Sequence, residues 1–248
     1  MTSKLTTQAN RPERLSEFPA FPPRDDMQNA IYLYDEGHQP ALRLHFGNRP
    51  NVLVLAEVPI YWYPSRYPRI PDLTVAFDIN RPGVIDRNGY SIEEHGKPPD
   101  FVLEVASPTT ARNDYTDKRE DYAAFGIPEY WRFDPTGGRR YDTALAGDRL
   151  ADGVYRRVEI SGSVESALWG RSDVLGLDIC WEGGRLRWWN PETRVYLETH
   201  DELAGARLAE QEARLVEHEA YLAEREARLA AEARIRELEA ELGRQTDP

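Results

Sequence analysis

The run Phe101-Val-Leu-Glu-Val-Ala-Ser107 constrains the fold more than any other stretch. It is too apolar for a half-exposed strand, so it must be covered on both faces. The residues after it supply a crossover. Residues 108–113 read as a turn, and Asp114 can cap a helix running to about Phe125. Gly126 ends that helix and Pro128 cannot continue it. Glu129–Asp134 is then another strand, and Pro135-Thr-Gly-Gly138 is a turn.

Upstream, Val52–Val58 is a nearly continuous apolar run, the mark of a buried strand. Tyr61-Trp-Tyr63 extends it or starts another. Asp72–Asp78 alternates, with Leu73, Val75 and Phe77 on one face and Asp72, Thr74, Ala76 and Asp78 on a polar one. Residues 79–99, rich in Gly, Pro and charge, read as a loop. Short β-type pieces are expected around 140–145, 153–160, 177–182, 185–189 and 194–198, with Gly183-Gly184 as a hairpin turn. The six Trp and thirteen Tyr read as sheet packing. This order predicts an α/β (α+β) fold with a mixed sheet, within residues 30–200. Residues 1–29 form a polar, Pro-rich lead expected to be flexible.

Residues 201–248 are different. They hold 13 acidic residues and 7 arginines, which is half of the chain's formal charge of −12. They repeat every seven residues, with Leu208, Leu215, Leu222 and Leu229 in line. Good helix formers without a breaker predict one long helix from Asp201 to about Leu242. Each heptad offers one Leu supported only by Ala or Val216, a narrow stripe for a coiled coil. Two readings stand: an oligomerisation arm, or a solvated helix held by pairs such as Glu210–Arg214 and Glu224–Arg228.

Several classes are excluded. One cysteine, Cys180, rules out an intramolecular disulfide framework and a multi-cysteine zinc site. The longest apolar run is far short of the ~20 residues of a membrane helix, and there is no signal-peptide core. A soluble, cytoplasmic protein without membrane partners is expected. The acidity argues against a general nucleic-acid coat protein. No phosphate-cradling glycine loop and no nucleophile elbow is present. Arg139-Arg140, Arg156-Arg157 and Arg66…Arg69 could contact phosphates or simply be solvated.

Three residues do not fit a plain core. Glu104 lies inside the apolar strand, where a carboxylate must be paired, protonated or bound to a cation. It is either a metal ligand or acid/base, or one half of a buried ion pair that holds the fold. Lys118 shares one helix face with Tyr115, Tyr122 and Phe125, so it points at the core side. It either snorkels past the aromatics or aims its charge into a site. Asp72 follows Pro71 at the start of a strand. Two carboxylates from neighbouring strands could hold a hard divalent cation. A lysine beside them could orient or deprotonate a water, or stabilise charge on a phosphate.

Pro71-Asp72, Glu104-Val105 and Asp114…Lys118 resemble the PD-(D/E)XK nuclease superfamily. The stretch from Pro99-Asp100 through Glu104, Ser107-Pro108, Lys118, Tyr122 and Gly126-Ile-Pro-Glu-Tyr-Trp131 to Asp134-Pro135 resembles its Uma-type restriction endonuclease branch. The resemblance covers roughly residues 50–200. It implies a restriction-endonuclease-like mixed central sheet flanked by helices, with a β-rich extension and a long C-terminal helix. It also implies a Mg²⁺- (or Mn²⁺-) dependent DNA endonuclease, with Asp72 and Glu104 as metal ligands and Lys118 as the catalytic lysine. The superfamily's usual lysine lies two residues after the strand acid, where this chain has Ala106; the Uma-type branch is similar in moving it to the following helix. The alternative is a catalytically silent nuclease-like module that associates, for instance as a homodimer, through its C-terminal helix.

Overall fold

In a computed structural model of the chain, the described residues are 37–47, 49–63, 65, 67–106 and 117–246, without the side chains of His200 and of residues beyond 239. The lead over 1–29, the turn over 108–113, the Asp114 cap, Tyr115 and Arg66 lie outside them. The chain divides into two units, Met1–Thr199 and His200–Pro248.

The first unit is built on a mixed sheet of six strands. They are β1 (Val52–Ala56), β3 (Leu73–Phe77), β5 (Phe101–Val105), β6 (Glu129–Phe133), β7 (Leu145–Ala151) and β8 (Val154–Arg157), side by side in that order. Only β5 and β6 are parallel; the other neighbours are antiparallel. Helix α4 (Asp117–Phe125) lies between those two in sequence, as a parallel crossover requires. A second, antiparallel sheet follows in the order β13 (Val195–Tyr196), β12 (Arg185–Asn190), β11 (Leu177–Glu182), β10 (Leu168–Ser172) and β9 (Ile160–Gly162). The turn from β11 to β12 is Gly183-Gly184. At Gly184, φ is 90° and a Cβ would lie 2.5 Å from the Pro135 carbonyl oxygen, so no larger residue fits.

Alternation along the strands splits the core into two clusters. Phe101, Leu103 and Val105 of β5 join Leu73, Val75, Trp131 and Phe133 beneath the five-stranded sheet, which contributes Leu177, Ile179, Leu186 and Trp188. Helix α1 (His38–Phe46) closes this side with Ala41 and Leu42. The opposite face carries Val102, Leu53, Ala76 and Tyr130, packed against Tyr122 and Phe125 of α4. Buried tryptophan N–H groups are satisfied: Trp188 donates to His38 O at 3.0 Å and Trp181 to Asp134 O at 2.8 Å. The two sheets are also joined through Glu129. Its buried carboxylate accepts from Trp131 Nε1 (3.0 Å), Ser172 Oγ (2.6 Å) and Asp173 N (2.9 Å).

The Trp131 indole lies over two glycines. A Cβ on Gly147 would stand 2.8 Å from its ring, and one on Gly170 would stand 2.9 Å from it. Gly147→Ala is therefore expected to destabilise by about 1–3 kcal/mol, the cost of overpacking a filled core. Denaturant unfolding checks this; an unchanged midpoint would refute it.

Several expectations are corrected. Residues 79–99 are not a plain loop. They contain α2 (Arg81–Arg87), strand β4 (Tyr90–Ser91), paired in parallel with β2 (Ile60–Tyr61), and a single turn α3 (Ile92–His95). The signals were local caps: Asn80 Oδ1 accepts from Gly83 N, Pro82 sits in the first turn, and Ser91 Oγ accepts from Glu94 N. Residues 140–144 are irregular, with the strand beginning at Leu145. α1 and β10 were not expected. On the polar face of β3, Asp72, Thr74 and Ala76 are buried because the second cluster covers them, and Asp78 at its end is exposed.

The second unit is α5 (His200–Thr246), 47 residues and roughly 70 Å long at 1.5 Å per residue. Leu208, Leu215, Leu222 and Leu229 are exposed along it. Glu210 pairs with Arg214 as expected, but Arg228 pairs with Glu232 and not with Glu224. No helix among the described residues is long and apolar enough to cross a membrane.

Candidate active site

The site grows from the register of β3 against β5. Leu73 pairs with Leu103 and Thr74 with Val102. Continuing that antiparallel register by one residue sets Asp72 opposite Glu104. The Asp72 carboxylate is held there by the strand itself, since Oδ2 accepts the Val105 amide at 2.6 Å. Its carbonyl accepts the amide of Glu57, a residue in the left-handed region with φ 48°. Glu104 points to the face that carries α4.

Helix α4 meets it there. Lys118 Nζ lies 2.9 Å from Glu104 Oε2, and one turn later the Tyr122 hydroxyl donates to Oε1 at 2.7 Å. The spacing of four places both donors on one helix face. Relative exposures are 2% for Asp72, 1% for Glu104 and 9% for Lys118. At that burial the charges are little screened by water, so each weighs heavily on the other.

A second ionic group steadies the same helix. Arg132 stands beside Glu104 on parallel β6 and is fully buried. It pairs at 2.5 Å with Asp148, also fully buried, to which Arg119 donates at 3.1 Å. Arg69 pairs with Asp121. Lys118, Arg119 and Asp121 therefore tie α4 to its surroundings at three nearby positions.

The structure brings Glu104 and Lys118 into contact and sets Asp72 on the amide next to Glu104. Tyr122, Arg132 and Asp148 were missed as members of this environment. Tyr122 had a signal, since it lies one turn from Lys118 on the same stripe. Arg132, a charge inside an apolar strand, repeats the anomaly of Glu104. Of the arginines singled out from sequence, Arg69 pairs with Asp121 of α4 and Arg157 lies 3.8 Å from Asp148, while Arg140 donates through Nη1 to Ala106 O at 2.8 Å, just beyond β5. Its loop is fixed by Asp134. Burial pushes that carboxyl's pKa up, but the Thr136 hydroxyl and the Tyr141, Arg140 and Thr136 amides outweigh it and hold it below the usual range.

The donor set suits a hard cation. Magnesium takes oxygen ligands, often one or two carboxylates completed by waters and phosphate oxygens. Asp72 and Glu104 supply two carboxylates on adjoining strands, and a carboxylate oxygen with one hydrogen bond keeps a further lone pair. Among the described residues no group of three or more His, Cys, Asp and Glu side chains converges as an all-protein cage would.

A family model described as Uma2, putative restriction endonuclease, matches residues 40–179. A solved structure of a putative nuclease from Anabaena variabilis ATCC 29413 is 14% identical; the likeness covers 57% of this chain and 74% of that one with a TM-score of 0.38. No curated protein matches the chain. Matched over more than half of its length, the chain belongs to the Uma2 family of putative restriction endonucleases.

Proposed function

We propose that the protein is a Mg²⁺- or Mn²⁺-dependent endonuclease that hydrolyses phosphodiester bonds in DNA, with Asp72, Glu104 and Lys118 as its working residues. The observation that carries this reading is the buried Glu104–Lys118 pair, 2.9 Å apart, beside a second strand carboxylate. Asp72 and Glu104 would hold the cation, which supplies charge neutralisation at the phosphate. Lys118 orients a water toward phosphorus, or steadies the charge growing on the phosphate oxygens. The Tyr122 hydroxyl and the Val105 amide keep the two carboxylates aimed. This division of labour explains why a lysine sits on the apolar face of α4.

The test is incubation of supercoiled plasmid with the purified chain. Nicked or linear DNA is expected with Mg²⁺ or Mn²⁺ and none with a chelator. Equal products with and without chelator would overturn the metal requirement. A silent module, for which Glu104–Lys118 would serve the fold alone and the exposed leucines of α5 would join a second copy, predicts an intact plasmid in every lane.

A further inference from the structure

The outer face of the five-stranded sheet does not look like an ordinary solvated surface. Antiparallel sheets usually alternate apolar residues inward with polar ones outward. Here Leu168, Gly170 and Ser172 of β10 point in, while Trp169 points out and is 45% exposed. The register sets Trp169 across from Cys180 on β11. Trp189 of β12 stands across from Asp178 and from Tyr196 of β13. Trp169, Trp189 and Tyr196 thus surround a depression of about 250 Å³ with Cys180 on its floor. Burial pushes the Cys180 thiol up to about 12, helped by Glu182 and Asp178, so the floor is unreactive.

A second depression of about 610 Å³ adjoins the first and shares Trp169 and Asp178 with it. Arg149, Arg156, Arg157 and Arg171 line it. Arg156 pairs with the exposed Asp152, Arg149 with the exposed Asp173 and Arg171 with the part-buried Asp178, while Arg149 also meets the buried Glu129 at 3.3 Å and Arg157 lies 3.8 Å from the buried Asp148, which anchors both at one end of the row. The surface pairs are worth about 0–1 kcal/mol each, so an arriving phosphate can replace the carboxylate at small cost.

Aromatic walls next to a row of arginines fit a chain that alternates planar rings with phosphates. An organic cation fits less well, because the Arg187 guanidinium already lies 4.7 Å from the Tyr196 ring centre. We propose that this face binds single-stranded nucleic acid, with an unpaired base stacked on Trp169 beside the edge-to-face pair of Trp189 and Tyr196, whose centroids lie 4.9 Å apart, and its phosphates on the arginines. Asp178, at the shared rim, can accept from a base's exocyclic amino group. The five-stranded sheet covers the side of the central sheet opposite to Glu104, so the aromatic depression is separate from the candidate active site; Arg157, at the edge of the arginine row, reaches toward that site's surroundings, 3.8 Å from Asp148, and the ligand is held whether or not the protein cuts.

The test uses the full chain, in chelator, with a fluorescein-labelled 20-nucleotide oligothymidylate and a duplex of equal length as probes. Anisotropy should show the single strand binding more tightly than the duplex. Trp169→Ala should weaken single-strand binding by about 5- to 150-fold, the range for loss of one base stack, and Trp169→Phe by less. Arg156→Gln with Arg171→Gln should lower the slope of log affinity against log salt by about 1.4, two single-strand phosphate contacts. Trp169 is half in solvent, so an unchanged melting temperature should accompany its loss. The proposal is overturned if the single strand does not bind, if Trp169→Ala binds as tightly as the natural chain, or if the duplex shows equal affinity and equal dependence on Trp169.

Discussion

Glu104→Gln is expected to leave the protein folded and to slow metal-dependent plasmid cleavage by roughly two to four orders of magnitude, the range for removing a positioned proton-transfer or charge-stabilising group. The amide keeps the side chain's shape and an oxygen for the Tyr122 hydroxyl, which now meets Glu104 Oε1 at 2.7 Å. It loses the charge that faces Lys118 and would hold the cation. Glu104→Ala is more drastic, because it leaves the Lys118 ammonium and the Tyr122 hydroxyl facing a void. Breaking a buried ion pair from one side costs about 3–5 kcal/mol, a cost Glu104→Gln shares because it removes the same charge, so either single variant mixes folding with chemistry. Glu104→Gln with Lys118→Met separates the two. Removing both charges restores stability, since a buried pair replaced by neutral groups of similar volume is often nearly neutral. Cleavage should stay lost. Nicking rates measured beside thermal melts decide it: a double variant that cuts like the natural chain would reduce the pair to a fold element.

Asp148→Ala should cost about 3–5 kcal/mol and lower the melting temperature by roughly 6–20 °C, at the 2–4 °C per kcal/mol typical of this size. Asp148 is fully buried and holds Arg132 at 2.5 Å and Arg119 at 3.1 Å, with Arg157 at 3.8 Å. Removing this carboxylate takes an opposite charge at 2.5 Å from the fully buried guanidinium of Arg132. Arg119 adjoins Lys118 on α4, so the helix would loosen where it presents the lysine, and cleavage should fall with stability. Asp148→Asn, which keeps the shape and one acceptor, should cost less than alanine. Calorimetric melts at neutral pH measure both, and a loss below 1 kcal/mol for alanine would refute the account.

Much of the candidate site was legible because its signals are local contradictions. A carboxylate inside Phe101–Val105 and a lysine on the aromatic stripe of α4 both break the pattern around them, and such breaks need no tertiary knowledge. Asp72 was harder. Its strand alternates cleanly, and alternation cannot say whether a polar face meets water or a second layer. The extent of β11, the Gly183-Gly184 turn and the long α5 were read correctly, because hairpin chemistry and helix propensity act within a few residues. Residues 79–99 misled because their Gly, Pro and charges were weighed as composition, whereas Asn80 and Ser91 were acting as caps.

Trp169 shows the same limit from the other side. Like Trp131 it lies inside a five-residue strand, yet one indole is buried over two glycines and the other stands half in solvent. By itself the sequence determined the strands on either side of the Lys118 helix, that helix, the long α5 and which of their side chains share a face, because backbone periodicity is a property of a few consecutive residues. Only the tertiary structure decided which faces are covered and which charges meet. That depends on strands such as β3, β5 and β10 being brought into layers by contacts between residues far apart in the chain, and burial follows from the layer rather than from the residue.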